Sequence, residues 1–343
     1  MSPDAALALF HSSDVLSIGL VADEIRKRLH PEGIVTYVID RNINYTNICI
    51  SGCKFCAFYR LAGASDAYVL SRRELSQKIK ETVELGGTQI LLQGGLHPDL
   101  RLQFYSDMLR FIKREFNIHV HGFSPPEILH FSRLDGISVL ETISRLHSAG
   151  LDTIPGGGAE ILCESVRREI SPNKCTAGEW LEVMKTAHES GMRTTATMMF
   201  AHAEKYADRV EHLARIRELQ DSTGGFTAFI PWTFQPLNTQ LGGTPAGGVE
   251  YLKTLAISRL FLDNVPNIQA SWVTQGAKIA QVALRFGAND LGSTMIEENV
   301  VRAAGVSFRI GLSEMRTIIE QADFQPRQRD CYYNLIEPAK QVS

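Results

Sequence analysis

No stretch of this chain approaches the roughly 18 consecutive apolar residues of a membrane-spanning helix. No block of like charge stands out either. Lys and Arg number 35 against 38 Asp and Glu, a net charge of -3, which leaves no footprint for nucleic acid or an anionic membrane. The opening residues, Met1 to Asp14, lack a basic region followed by a long apolar run. That points away from a secretory signal and toward a cytoplasmic protein. Cysteine is scarce, six in 343 residues, and a disulfide framework is not expected in a long chain of this kind. There is no second Cys-x2-Cys pair, no linker and no low-complexity tract.

What is present is an alternation of short apolar runs and helical stretches, with 44% hydrophobic residues to build a core. Candidate strands lie at 42–48, 88–94, 118–124, 152–155, 194–200, 226–232, 267–271 and near 288–291. Candidate helices lie between them at 75–85, 103–116, 139–149, 177–190, 207–223, 251–264 and 276–286. Several end at Gly86-Gly87, Gly150, Gly191 or Gly224-Gly225, where glycine stops a helix before the next strand. Alternating strands and helices predict an α/β fold with a parallel sheet. Eight such units fit a closed (βα)8 TIM-type barrel of about 250 residues. The barrel is expected over 41–322, with residues 1–40 as an N-terminal helical lead-in and 323–343 as a C-terminal tail.

Side chains alternate faces along a strand. If Ile118 and Val120 face the helices, His119 and His121 point inward. The same parity turns Gln89 and Gln93 inward, and likewise Asn267, Gln269 and Ser271. Barrel interiors are ordinarily Val, Ile and Leu. A polar interior implies a polar ligand or, alternatively, a buried hydrogen-bonded network.

Cys49, Cys53 and Cys56 follow the first strand with the spacing C-x3-C-x2-C. Thiolates bind iron–sulfur clusters. Three of them hold three irons of a [4Fe–4S] cubane and leave the fourth open to another ligand, as a catalytic zinc keeps a free position. Structural zinc is the competing reading, but its fourth ligand would have to come from afar. Cys163, Cys175 and Cys331 are scattered and read as buried thiols.

Other loops after strands carry further candidates. Gly94-Gly95 allows close backbone approach to a ligand. Glu160 would suit a ribose hydroxyl or an ammonium, and Arg167 a carboxylate, unless either makes only a surface salt bridge. Asn289, Asp290, Ser293, Glu297 and Glu298 follow the last strand, and one carboxylate there could accept a proton. Trp232, Phe234 and Trp272 would pack an aromatic ring or the core.

The segment Lys54-Phe55-Cys56-Ala57-Phe58-Tyr59-Arg60, with the two preceding cysteines, resembles the signature of the radical S-adenosylmethionine superfamily. The resemblance extends nearly end to end through Gln93-Gly94-Gly95-Leu96-His97-Pro98, Gly156-Gly157-Gly158-Ala159-Glu160-Ile161-Leu162, Pro231-Trp232-Thr233-Phe234-Gln235-Pro236 and Gly292-Ser293-Thr294-Met295-Ile296-Glu297-Glu298. These stretches look like the group of futalosine-pathway and deazaflavin-forming enzymes.

The resemblance implies S-adenosylmethionine on the open iron and release of a 5′-deoxyadenosyl radical. It implies cofactor contacts from Phe55, Gln93, Gly94, Gly95, Ser124, Glu160 and Arg167. Substrate contacts would come from His97, His121, Gln235, Gln269, Trp272, Asn289 and Ser293, and catalytic groups from His202, Asp290, Glu297 and Glu298. Ala201-His202-Ala203-Glu204 departs from the Gly-His-Val-Glu usual in similar proteins. The implied reaction is cyclisation of dehypoxanthine futalosine in menaquinone biosynthesis, with a one-electron donor such as flavodoxin or ferredoxin. Aminofutalosine synthesis, tyrosine coupling in deazaflavin formation and an iron–sulfur sensor remain open alternatives.

Overall fold

The computed structural model of the protein describes residues 1–337. Two helices open the chain, α1 (Pro3–His11) and α2 (Val15–Leu29), and two strands follow, β1 (Ile34–Val38) and β2 (Asp40–Asn44). The alternation then runs α3 (Arg72–Glu84), β3 (Gln89–Gln93), α4 (Leu102–Glu115), β4 (His119–Gly122), α5 (Pro125–Asp135), α6 (Val139–Ala149), α7 (Glu164–Ile170) and α8 (Ala177–Glu189). It continues with β5 (Thr194–Phe200), α9 (Tyr206–Thr223), β6 (Phe226–Thr233), α10 (Gly248–Phe261), β7 (Asn267–Ile268), α11 (Trp272–Ala283) and β8 (Asp290–Ser293). The short α12 (Val300–Ala303), α13 (Leu312–Glu320) and β9 (Gln325–Gln328) end the order.

The helix ends follow local chemistry. Ser71 with Glu74 and Thr176 with Glu179 form reciprocal caps that satisfy the first free N–H groups of α3 and α8. Gly136, Gly150 and Gly224 end α5, α6 and α9 in the left-handed conformation.

Every ladder is parallel, in three sheets ordered β8-β1-β9, β2-β3-β4 and β5-β6-β7. Isolated parallel bridges, His121↔Thr153, Ile154↔Thr194 and Gln269↔Asp290, stand between these sheets. The eight strands expected of one closed sheet are thus three sheets with gaps. The expected strand at 152–155 is reduced to those bridges for a visible reason. The Asp152 carboxylate takes the Val120 N–H, Pro155 has no N–H to give, and the Gly156 N–H goes to the Thr195 hydroxyl. The seventh strand stops at Ile268, and the Ser271 N–H leaves the ladder for the Tyr251 hydroxyl.

Both ends of the chain differ from expectation. The helical lead-in stops at Leu29, and 34–38 is a strand at the centre of its sheet. The tail is not a loose extension either. Gln325–Gln328 pairs with Ile34–Tyr37, and the following residues turn in under the strands. There Arg329 pairs with Asp290 through two hydrogen bonds of 2.5 and 3.0 Å. The expected tail's last residues, 338–343, lie outside the described residues.

Strand parity holds on β3 and β4, whereas at β7 Gln269 and Ser271 line the cavity with Ala270 beside them, and Asn267 is turned to the Thr227 carbonyl and Asn289. Ile90, Leu92 and Val120 are fully buried among the helices, while Gln89, Gln93 and His121 turn to the interior. His119 also turns inward, below His121, where Tyr332 meets its ring edge-on.

Burial pushes His121 and His212 down to about 3 and His188 down to about 4, from an ordinary 6.5. Each histidine therefore folds neutral, whereas the unfolded chain takes up a proton below pH 6.5. Their contribution to stability is complete above pH 6.5 and is lost as the pH falls toward the folded value, at up to ~1.4 kcal/mol per pH unit per histidine. Urea midpoints should drop between pH 7 and pH 5. His212→Gln, whose amide oxygen can still accept from the Leu162 N–H, should make that drop shallower. An unchanged pH slope in the variant would contradict this account.

Candidate active site

The inward faces of the strands and the loops after them enclose a cavity of ≈ 410 Å³. Cys49, Cys53 and Cys56 line it. Their loop is fastened on both sides: the Cys49 N–H reaches the Arg60 carbonyl, the Ile50 N–H the Leu96 carbonyl, and the Lys54 N–H the Ile170 carbonyl. Arg60 donates to the carbonyls of Ala57, Phe58 and Tyr59, which holds the turn beyond Cys56. Gly95 lies so close that an added Cβ would collide with the Ile48 carbonyl. A side chain there would push the cysteine loop away.

The donor set is three thiolates lining one cavity, where a structural zinc wants four protein ligands and a [4Fe–4S] cubane held by three leaves one iron open. Burial raises the thiol pKa of Cys49 and Cys56, so thiolates there need a cationic partner.

Beside the cysteines, Glu160 and Lys174 form a buried ion pair of 2.6 Å on the cavity wall. Burial opposes the Lys174 charge, but Glu160 and Cys53 more than offset it and hold the ammonium well above the ordinary lysine range. The Lys174 ammonium stands 5.2 Å over the Phe55 ring. Glu160 occupies the left-handed region at φ 43, a strained conformation for a residue with a side chain. Lys174 escaped the sequence reading because Ser171-Pro172-Asn173-Lys174 is an irregular loop with no periodicity.

The cavity gathers many of the candidates. Phe55, Gln93, Gly94, Gly95, Ser124 and Glu160 line it, as do His121, Gln269, Trp272, Ser293 and Glu298. Others fall outside. The Arg167 guanidinium is buried and donates to the carbonyls of Gly158, Ala159, Ile161 and Cys175, so it braces the glycine loop instead of facing a ligand. His202 is fixed by the Met199 carbonyl and the Ala203 N–H, behind the wall. Burial lowers its pKa. Ala201 takes φ 66, which explains why similar proteins carry glycine there.

The carboxylates after the last strand are all engaged. Asp290 is fully buried against Arg329 and Thr36. Glu297 pairs with Lys78 and Arg41 in a separate surface pocket. Glu298 reaches the cavity, but its oxygens accept the N–H groups of Val300, Val301 and Arg302. Asn289 is held by Arg259 and Asn267, Gln235 by Thr233, and His97 by the Asp99 N–H, all off the cavity wall.

Further lining residues were not anticipated: Asp40, Asn42, Asn44, Thr195 and Thr197 on the strands, and Arg329, Cys331 and Tyr333 from the tail. The strand residues carry the same period-two signal as Gln89 and Gln93 and were legible by that rule. The tail residues carry none.

Two family descriptions match the chain: the Radical SAM superfamily over residues 43–216, and the CofH/MqnC C-terminal region over residues 223–342. Cyclic dehypoxanthine futalosine synthase of Halalkalibacterium halodurans is 47% identical over 98% of this chain and 91% of its own length. The 5-amino-6-(D-ribitylamino)uracil–L-tyrosine 4-hydroxyphenyl transferase of Archaeoglobus fulgidus is 44% identical over 92% of this chain and 93% of its own. Among solved structures, the FeFe-hydrogenase maturase HydG of Carboxydothermus hydrogenoformans overlays with a TM-score of 0.76 at 18% identity, over 97% of this chain and 77% of that one. That overlay speaks for the fold alone. The cysteine loop opening on a cavity lined in part by polar strand residues and the match over 43–216 agree, and the chain belongs to the radical SAM superfamily.

Proposed function

We propose that the protein cyclises dehypoxanthine futalosine, as the name of its Halalkalibacterium relative states for that enzyme. The observation that carries the reading is one cavity lined both by the three cysteines and by Asn, Gln, Ser and His side chains of the strands and their loops. Cys49, Cys53 and Cys56 would hold a [4Fe–4S] cluster, with Gly94, Gly95, Ser124 and Glu160 placed to receive S-adenosylmethionine and Phe55 its adenine. When bound, the pair supplies a 5′-deoxyadenosyl radical that takes hydrogen from C4′ of the substrate ribose.

This chain's residues then bind, orient and exclude water. Gln269, Ser293 and His121 present donors and acceptors to hydroxyls, and Trp272 offers a ring face. Its indole N–H is already anchored on the Ser293 carbonyl at 2.9 Å, which fixes the ring. We read the three sheets and their bridges as one (βα)8 barrel, preceded by helices and closed below by the tail. A flavodoxin or ferredoxin in the cytoplasm would supply the electron.

Cys53→Ala should abolish 5′-deoxyadenosine formation under anaerobic reducing conditions with S-adenosylmethionine, while Cys163→Ser should leave the iron content unchanged. Wild-type nucleoside release from Cys53→Ala would refute the cluster assignment. Deuterium at C4′ of dehypoxanthine futalosine should appear in 5′-deoxyadenosine, with a product two hydrogens lighter than substrate by mass spectrometry. Turnover only with tyrosine and a ribitylaminouracil would transfer the assignment to the reaction named for the Archaeoglobus relative.

A further inference from the structure

Cyclisation leaves a proton in the cavity, and the carboxylates nearest the last strand are engaged by Arg329, Lys78 and backbone N–H groups. Asp40 lines the cavity but is held by Ser293 and Gln89, neither of which leads outward. One polar chain does lead outward. The His121 Nδ1 lies 2.7 Å from the Thr153 hydroxyl, and the same oxygen lies 2.8 Å from Nε2 of His119. His121 faces the cavity. His119, two residues lower on β4, is half-buried beside Tyr332, itself exposed. The chain thus crosses the floor from lumen to surface.

The geometry points to His121, Thr153 and His119 as a proton relay that drains the cavity through the barrel floor. The inference rests on the cyclisation reading.

The hydrogen-bond inventory of Thr153 fits. A hydroxyl has one donor and two acceptor positions. Thr153 can accept from the His121 Nδ1–H and the Cys331 thiol at 3.2 Å, and donate to His119 Nε2. Burial pushes the Cys331 thiol up to about 12, so it keeps its hydrogen. His121 then presents a bare Nε2, which has no hydrogen-bond partner among the described residues and belongs to a cavity-lining ring.

The step balances as follows. A ring C–H bond breaks in the cyclised radical, and the proton goes to His121 Nε2. One electron of that bond joins the unpaired electron to restore the aromatic ring. The other leaves to a one-electron acceptor of the iron–sulfur class. The Nδ1 proton of His121 passes to Thr153, the Thr153 hydrogen passes to His119 Nε2, and His119 Nδ1 releases its own to water.

Charged neighbours suit transfer without storage. Burial, then His119 and Arg329, oppose charge on His121. Burial and Lys113 oppose it on His119, while Asp152 and Asp330 favour it. The preference for charge therefore rises toward the surface.

Thr153→Val keeps both imidazoles and removes the link, Thr153→Ser restores it, and His119→Gln cuts the solvent end. Product and 5′-deoxyadenosine are counted in H2O and D2O. Relative to wild type, Thr153→Val and His119→Gln should lower product kcat by roughly 10²-fold. KM and C4′ deuterium transfer should persist, 5′-deoxyadenosine per product should rise, and the solvent isotope effect should increase. Thr153→Ser should recover most of the rate. Equal losses in Thr153→Ser and Thr153→Val would overturn the relay. So would wild-type product ratios in His119→Gln, which remains informative if Thr153→Val does not fold. A wild-type enzyme that transfers no C4′ deuterium would refute the cyclisation reading instead.

Discussion

The buried pair of Arg329 and Asp290 holds the lower half of this protein together. Asp290 begins β8, Thr36 of β1 donates to the same carboxylate, and Arg329 brings in the chain that follows β9. One carboxylate thus joins three neighbouring parts of the fold. Removing two charges from water costs several kcal/mol per ion, recovered only when geometry is good and the remaining positions are filled. Here the guanidinium makes a two-point contact, the Gly292 N–H donates to Asp290 Oδ1, and Arg329 lies over the Tyr333 ring at 3.9 Å. Loss of one partner would strand the other, at about 3–5 kcal/mol. The floor of the cavity, including Cys331 and Tyr333, depends on this anchor.

At the other end of the lumen the backbone carries the strain. Glu160 and Ala201 both adopt left-handed conformations, and Gly95 sits where no side chain fits. Such conformations cost on the order of 1–3 kcal/mol each and persist only where surrounding bonds impose them. The bonds are visible: Arg167 gathers the carbonyls around Glu160, and Glu204 takes the Ala201 and His202 N–H groups. Arg167 and His202 therefore matter to the site while touching nothing in it. Their sequence neighbourhood suggested contact with cofactor or substrate, and the structure places both behind the wall. The neighbourhood alone could not separate a residue that contacts a ligand from one that shapes the wall.

What was legible in the sequence was local. The period-two alternation placed Gln93, His121 and Gln269 on the cavity wall, and cysteine spacing placed the loop. The end of Val139–Ala149 followed from the terminal Gly150, and the structure adds a Ser138 cap at its start. What escaped depends on contacts across long sequence separation. Thr153 meets Cys331 178 positions away, and Asp290 meets Thr36 254 positions away. No periodicity encodes such pairings. The same blindness hid β1, a short run of Ile, Val, Thr and Tyr whose partners β8 and β9 lie at the far end of the chain.

An anionic substrate poses a constraint on the cavity that the structure resolves. Asp40, Glu127, Glu160 and Glu298 all line it and would repel a carboxylate if left free. None is free. Glu127 accepts from Tyr45, Ser124 and the Gly94 N–H, Glu160 is neutralised by Lys174, Glu298 caps a short helix, and Asp40 accepts from Ser293 and Gln89. Each carboxylate is turned toward the protein's own donors. The polar groups left facing the lumen are then neutral ones such as Asn42, Asn44, Gln93, Gln269 and Thr197, one unprotonated imidazole, and the cations Lys174 and Arg329, each paired with a carboxylate. Such a wall binds hydroxyls and carboxylate oxygens without imposing a net charge of its own. It also explains why a base in this lumen is histidine: a free carboxylate would oppose binding of the substrate whose proton it was to take.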